Sequence, residues 1–344
     1  MTKKIAVVLF NLGGPDDLKS VKPFLFNLFS DPAIIGLPKP FRTLLAKFIS
    51  SKRAGKARKI YGLMGGKSPI LELTNLQAQA LEKKLAENAS KDEREYKVFV
   101  SMRYWHPMSD TVVRNVKNYA PDEVVLLPLY PQFSTTTTGS SLADWEAKAK
   151  EIGLDTPTRK ITCYPTDFNF IAAHAKTIKD AYWKASETGK PRVLFSAHGL
   201  PQKIVDAGDP YQFQVEKTVE RLVQILAIEG LDYKICYQSK VGPMKWLKPS
   251  TEYEIKQAGA EKLPLLVVPI AFVSEHSETL VELDIDYHNL AMENGATGYV
   301  RVPALGVEPL FIETLADLCA DALAEKPRPV ICPKEFGKCG CVQN

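Results

Sequence analysis

The stretch LFSAHGLP, residues 194–201, ends an apolar run at Leu194 and Phe195 and holds His198 where a buried strand must turn. Imidazole titrates near neutrality, so a histidine at a strand end can exchange a proton at physiological pH. The bland alternative is a structural histidine satisfied by its neighbours. A second stretch carries complementary chemistry. SEHSETLVELDIDYH, residues 274–288, follows the apolar run LPLLVVPIAF and holds Glu275, Glu278, Glu282, Asp284 and Asp286 without a lysine or arginine. On an α-helix Glu275, Glu278, Glu282 and Asp286 share one face, where like charges destabilise by roughly 0.2–0.5 kcal/mol per pair. A divalent cation relieves that repulsion, and His276 with Glu278 at the buried end adds mixed nitrogen and oxygen ligands. The ladder is therefore expected to be a metal path, against the alternative of a solvated acidic face.

Such groups need a rigid support. Short β-branched runs alternate with segments of helical period, which predicts an α/β fold with parallel sheets covered on both faces. Strands are expected at 4–10, 96–103, 123–130 and 159–163, and again at 192–196, 233–237, 264–271 and 298–302. Four strands per half suggest two similar lobes: 1–165 and 166–307, with a final helix near 308–325 returning to the first lobe and a tail at 327–344. The residues that follow these strands are Leu12, Tyr104, Pro131, His198, Ser239 with Lys240, and the segment from Phe272 to Glu278. In open α/β sheets ligands bind beyond the carboxyl ends of strands, so these residues are expected to line one cleft.

About eighty residues separate the first two strands, which predicts a helical elaboration near 17–70. Within it, Phe41, Leu44, Leu45, Phe48 and Ile49 fall at helical spacing among Arg42, Lys47, Lys52, Arg53, Lys56, Arg58 and Lys59. This is either an amphipathic helix packed on its own lobe or a lid or lip that meets substrate or membrane.

Composition narrows the function. With 344 residues and 45% hydrophobic content the chain can bury two cores. The net charge of +4 comes without a basic stripe or motif, so nucleic acid is not an expected partner. No apolar stretch is long enough to span a bilayer, and the N-terminal run reads as a strand and not as an export signal. Six cysteines without such a signal point to a reducing, cytoplasmic setting. YGLMGGKS, residues 61–68, misses phosphate-loop spacing and NLGGPDD lacks G-x-G-x-x-G, so no nucleotide cofactor is expected.

LFSAHGLP, YQSKVGPMKWL and PIAFVSEHSETLVELDIDY, with NLGGP, GGKSPI, RYWHP and YPQFSTTTTGSSL, resemble the ferrochelatase family in content and order from about residue 5 to 325. The resemblance implies two Rossmann-like lobes, each a four-stranded parallel sheet flanked by helices, with protoporphyrin IX in the cleft and ferrous iron as the second substrate. It implies that His198 accepts pyrrole protons or helps place the metal, opposite Glu278. It implies a ring pocket from Leu12, Tyr104, Tyr130, Pro201 and Trp246. Arg53, Tyr61 and Ser68 match positions that grip propionates, although the family often has a second basic residue where this chain has Ala54. Lys240 is a further propionate candidate, and Arg103 with Tyr104 matches the opposite wall, an alternative iron entry. Peripheral association with the inner membrane is expected, and a homodimer stays open. His106 is expected to stabilise its turn, His174 to be structural and His288 to lie at the surface.

The chain ends with Cys332, Cys339 and Cys341. Some family members hold a 2Fe–2S cluster with three C-terminal cysteines and one internal cysteine, and such a cluster needs four thiolates. The spacing here departs from the vertebrate pattern, and residues 167–176 contain no cysteine, so a reduced or disordered tail is favoured over a cluster. Cys163, Cys236 and Cys319 are the internal candidates. The rival readings are a chelatase for coproporphyrin III or sirohydrochlorin, and a non-catalytic tetrapyrrole- or metal-binding protein.

Overall fold

The structure, a computed structural model, describes residues 2–89, 94–240, 242–326 and 330–340. The chain forms two compact units, Met1–Cys163 with Ile312–Pro329, and Tyr164–Phe311 with Val330–Asn344.

The first unit is built on β1 (Lys3–Asn11), β2 (Arg94–Met102), β3 (Glu123–Pro128) and β4 (Thr158–Lys160), all parallel in the order β2-β1-β3-β4. Ile5 to Leu9 of β1 are wholly buried, as a central parallel strand with both faces covered requires. One face packs on α4 (Ser109–Tyr119) and α5 (Thr138–Ile152), where Trp145 meets Phe10 edge to face at 5.7 Å. The expected helical elaboration is α1 (Val21–Ser30), α2 (Lys39–Leu63) and α3 (Ile70–Ala89). On the edge strand β2, the backbone N–H of Val98 donates to Glu82 of α3 at 2.7 Å.

The second unit repeats the plan. β5 (Arg192–His198), β6 (Tyr233–Gln238), β7 (Pro264–Pro269) and β8 (Gly298–Arg301) are parallel in the order β6-β5-β7-β8. Helices α6 (Phe168–Ala185), α7 (Gln202–Asp206), α8 (Tyr211–Leu226), α9 (Thr251–Ala260) and α10 (Tyr287–Glu293) flank them. Local chemistry starts these helices where the chain leaves a strand: Asp167 caps α6 by accepting from Phe170 N–H at 3.1 Å, and Ser250 caps α9 through Tyr253 N–H. The last helix, α11 (Pro309–Leu323), belongs to the first unit from Ile312 onward, and there Glu313 pairs with Lys84.

Two expectations change in detail. The fourth strand, expected at 159–163, is only the three residues of β4. The acidic segment Glu278–Asp286 is a π-helix and not an α-helix. Single-turn π segments concentrate at functional sites, where the wider turn redirects side chains.

Candidate active site

In the second unit the order of strand addition reverses between β5 and β7. A ligand crevice lies past the carboxyl ends of the strands that flank such a switch point. β5 ends in His198, and after β7 the chain carries His276 in a loop and Glu278 at the start of the π-helix.

The Nδ1 of His198 lies 2.6 Å from the carbonyl oxygen of Gly199. A carbonyl only accepts, so Nδ1 carries the proton and Nε2 presents its lone pair. That lone pair faces Glu278 Oε1 at 3.7 Å. His276 repeats the pattern, with Nδ1 3.2 Å from the Ser274 carbonyl and Nε2 3.9 Å from Glu278 Oε2. The carboxylate thus sits between two imidazole lone pairs, an arrangement that favours a shared proton or a cation. The two histidines differ in access. The His198 side chain is 37% exposed and the His276 side chain only 9%. Burial pushes the His276 pKa down although Glu278 and Glu275 oppose it.

Behind Glu278 stands Glu282. Its Oε1 accepts from Ser239 N–H at 3.0 Å and from the Tyr287 hydroxyl at 3.0 Å. The Ser239 hydroxyl reaches Glu282 Oε2 at 2.5 Å and Glu278 Oε2 at 3.3 Å, so one hydroxyl proton serves two carboxylates. Burial and the neighbouring Glu278 hold the Glu282 carboxyl above its usual range. These four side chains, with Tyr287 behind them, are the reactive cluster.

The expected ladder is shorter than its spacing suggested. Arg301 Nη1 binds Glu275 at 2.8 and 3.1 Å, while its Nε and Nη2 bind Asp284 at 2.5 and 2.8 Å. Glu275 also accepts from Ala304 N–H at 2.9 Å. Glu275 is therefore anchored to β8. Asp286 is exposed at the end of the π-helix, which turns too slowly to keep an α-helical row aligned. Among the described residues no three His, Cys, Asp or Glu side chains form a ready metal cage.

Pro201 and Trp246 form an antiparallel bridge, and a Cβ on Gly199 would lie 3.2 Å from the Trp246 ring, so the indole covers the turn that follows His198. Lys240 is exposed after β6. In the first unit Tyr61 and Tyr104 are buried with Val21, Phe24 and Leu25, and Leu12 packs on that cluster. Tyr104 is 1% exposed and its hydroxyl donates to Asp31 at 2.7 Å. Tyr61 is likewise buried. Arg53 lies over Phe29 at 5.7 Å, and Ser68 is buried where a Cβ on Gly14 would come within 2.5 Å of it. Burial raises the Tyr130 phenol. Asp31, which binds both Arg103 and Tyr104, carried no sequence signal beyond a lone aspartate after a helix. Arg301 was equally silent.

The tail is docked. Cys332 and Cys339 are buried, and their sulfurs lie 3.1 and 3.6 Å from Gln214 Nε2 on α8, while Phe336 packs on Phe213. Cys341 lies outside the described residues. Burial pushes the Cys236 thiol up to about 12 and the Cys319 thiol higher still.

A model of the ferrochelatase family matches residues 4–323. A protein of Wolbachia sp. subsp. Drosophila simulans named ferrochelatase is 58% identical over 316 residues, spanning 92% of this chain and 98% of its own. A ferrochelatase of Caulobacter vibrioides is 51% identical over 347 residues, spanning 99% and 98%. Among solved structures, SirB from Bacillus subtilis with Fe3+ shares the fold, with a TM-score of 0.54 at 11% identity over 94% of this chain and 96% of its own.

The Glu275–Arg301 pair gives a pH prediction. Burial raises the Glu275 carboxyl, but Arg301 and three hydrogen-bond donors outweigh it and hold the pKa below its usual value of 4.5. A depressed carboxylate stabilises the fold above its unfolded-state pKa, and that stability is lost as pH falls through the folded value. Glu275→Gln should therefore cost about 1–3 kcal/mol at pH 7, with the gap to the parent closing below the usual carboxylate range. Urea unfolding across pH measures this, and the apparent KM for iron should stay within about twofold of the parent.

Proposed function

The chain belongs to the ferrochelatase family and inserts ferrous iron into protoporphyrin IX to give protohaem, and we propose that His198 and Glu278 carry the proton and metal traffic of that insertion. The observation that carries this reading is the reachable Nε2 lone pair of His198, set by its Nδ1–H bond to Gly199 and facing Glu278 at 3.7 Å.

Insertion exchanges two pyrrole N–H protons for one dication. A base beside the ring nitrogens takes each proton as the metal arrives, and Nε2 of His198 is that base. The imidazolium formed is stabilised by the Glu278 carboxylate. The proton then passes to the Glu278–Glu282 pair, where the Ser239 hydroxyl bridges both acids. Burial and the Glu278 charge raise the Glu282 pKa, which favours proton uptake at this pair. The same carboxylates offer oxygen ligands to incoming iron, a hard ligand set suited to transit and not to storage.

Two variants divide these roles. His198→Ala should lose at least about a hundredfold in iron insertion, the usual worth of a positioned base, while protoporphyrin still binds by fluorescence titration. Glu278→Gln should raise the apparent KM for iron and leave porphyrin affinity near that of the parent. Activity of His198→Ala within tenfold of the parent would overturn the assignment. Running the parent with protoporphyrin IX, coproporphyrin III and sirohydrochlorin in the same anaerobic absorbance assay identifies the preferred macrocycle.

We further infer that α2 places the enzyme at a membrane surface, where its apolar substrate and product partition. Phe41, Leu44 and Phe48 are 65%, 71% and 64% exposed, so this face is not packed on its own unit. Exposed Lys47, Lys52, Lys56 and Lys59 flank it, a pattern that suits anionic headgroups. No helix among the described residues is long and apolar enough to cross a membrane. In flotation with vesicles containing anionic lipid, the parent should float and the Phe41→Glu, Phe48→Glu double variant should remain in solution. Equal flotation of the two would return α2 to a lid role.

For the tail, two buried sulfurs on one nitrogen support a thiolate site more strongly than the spacing alone did. A 2Fe–2S cluster there would need four thiolates, of which Cys332 and Cys339 are candidates among the described residues. Anaerobically purified protein should then be reddish, with about two irons and two acid-labile sulfides per chain. A colourless, sulfide-free preparation leaves the tail a docked pair of reduced thiols.

A further inference from the structure

We propose that Asp31 is a positioning residue for porphyrin binding: one carboxylate oxygen holds Arg103, Tyr104 and Ser140 together and so fixes the α1–α2 lip to the turn after β2. The inference rests on the ferrochelatase reading above, in which that turn backs the substrate wall.

Asp31 follows α1, and its side chain is 2% exposed. Its two oxygens do different work. Oδ1 accepts from Ala33 N–H at 2.8 Å, and the Asp31 carbonyl accepts from Ile34 and Ile35 at 3.1 and 2.9 Å, which is ordinary closure of a turn after a helix. Oδ2 takes no part in that turn. It accepts from the Tyr104 hydroxyl at 2.7 Å, from Arg103 Nη2 at 3.0 Å and from the Ser140 hydroxyl. A helix cap accounts for the first oxygen and leaves the second unexplained.

The partners of Oδ2 come from segments 72 to 109 residues away in the chain. Arg103 is held on its other edges by Ser140 Oγ at 2.8 Å and by Asp144 at 3.6 Å, and its guanidinium stacks 5.0 Å over the Tyr104 ring. Burial, followed by the Asp31 charge, lifts the Tyr104 phenol well above its ordinary range, so its hydroxyl stays a donor. The backbone carries the constraint further: Tyr104 N–H donates to Leu12 at 3.0 Å, Arg103 N–H to Asn11 at 2.9 Å, and Asn27 of α1 to the Tyr104 carbonyl at 3.1 Å. A buried carboxylate stripped of its partners is costly, so these groups hold one arrangement. The lip helices, the β1 turn with Leu12 and the Arg103–Tyr104 turn thus behave as one body.

The test separates positioning from folding and from chemistry. Asp31→Asn keeps the size and one acceptor but loses the charge. It should raise the porphyrin KM, and the dissociation constant from porphyrin fluorescence, by about ten- to a hundredfold, with kcat and the iron KM within about twofold. Because Asp31 acts through Arg103, the Asp31→Asn, Arg103→Gln pair should bind porphyrin no worse than Asp31→Asn alone. Asp144→Asn, which removes a neighbouring charge outside the Oδ2 cluster, should change porphyrin KM less than about twofold. Should Asp31→Asn fail to fold, Ser140→Ala removes one donor from Oδ2 and should raise porphyrin KM severalfold with kcat held. An unchanged porphyrin KM in the folded variant, additive losses in the pair, or an equal effect of Asp144→Asn would each overturn the proposal. A parent that fails to insert iron into protoporphyrin would instead overturn the functional reading, and that result is visible before any variant is made.

Discussion

The acidic site depends on how closely the chain approaches itself just after β5. Gly199 N–H donates to the Gln238 carbonyl at 2.9 Å, and a Cβ at Gly199 would stand 2.9 Å from that same oxygen and 3.2 Å from the Trp246 ring. Only glycine fits. Because the turn is that tight, the Gly199 carbonyl lies within reach of His198 Nδ1, and the imidazole is held in the tautomer that directs Nε2 at Glu278. Tautomer and direction both follow from one backbone position.

Charge is divided in the same region by a single cation. Arg301, from β8, neutralises Glu275 and Asp284 on one side of the π-helix. Glu278 and Glu282 are joined instead by the Ser239 hydroxyl, and Glu278 faces the two histidines. The outer acids stabilise the fold, whereas the inner acids keep the repulsion that a proton or a dication can relieve. The sequence places all these acids within a dozen residues, but it is β8 that decides which ones stay reactive.

That division marks where reading residues alone reaches its limit. The eight strands were legible because parallel strands buried on both faces demand unbroken β-branched runs such as Ile5 to Leu9. His198 was legible because it ends such a run, and Glu278 because it begins the segment after another. The register of the ladder was not, since spacing was read at 3.6 residues per turn and the chain adopts a π-helix. Arg301 and Asp31 were invisible for another reason: each acts on partners 17 to 109 residues away, a distance no local period encodes. Tyr61 and Tyr104 are buried in one cluster, and an aromatic residue in a motif looks the same in sequence whether it is open or packed.

The contact between Val98 and Glu82 bears on solubility. β2 is a nine-residue strand at the sheet margin, and a long unpaired margin is a template on which a foreign strand can add. Glu82 occupies an outward amide of β2 at 2.7 Å and brings a negative charge to the middle of that margin. An incoming strand would have to displace the carboxylate and bury its charge before the first new ladder bond formed. The helix that decorates this sheet therefore also guards it against intermolecular aggregation, as a gatekeeper that works without interrupting the hydrophobic run beneath.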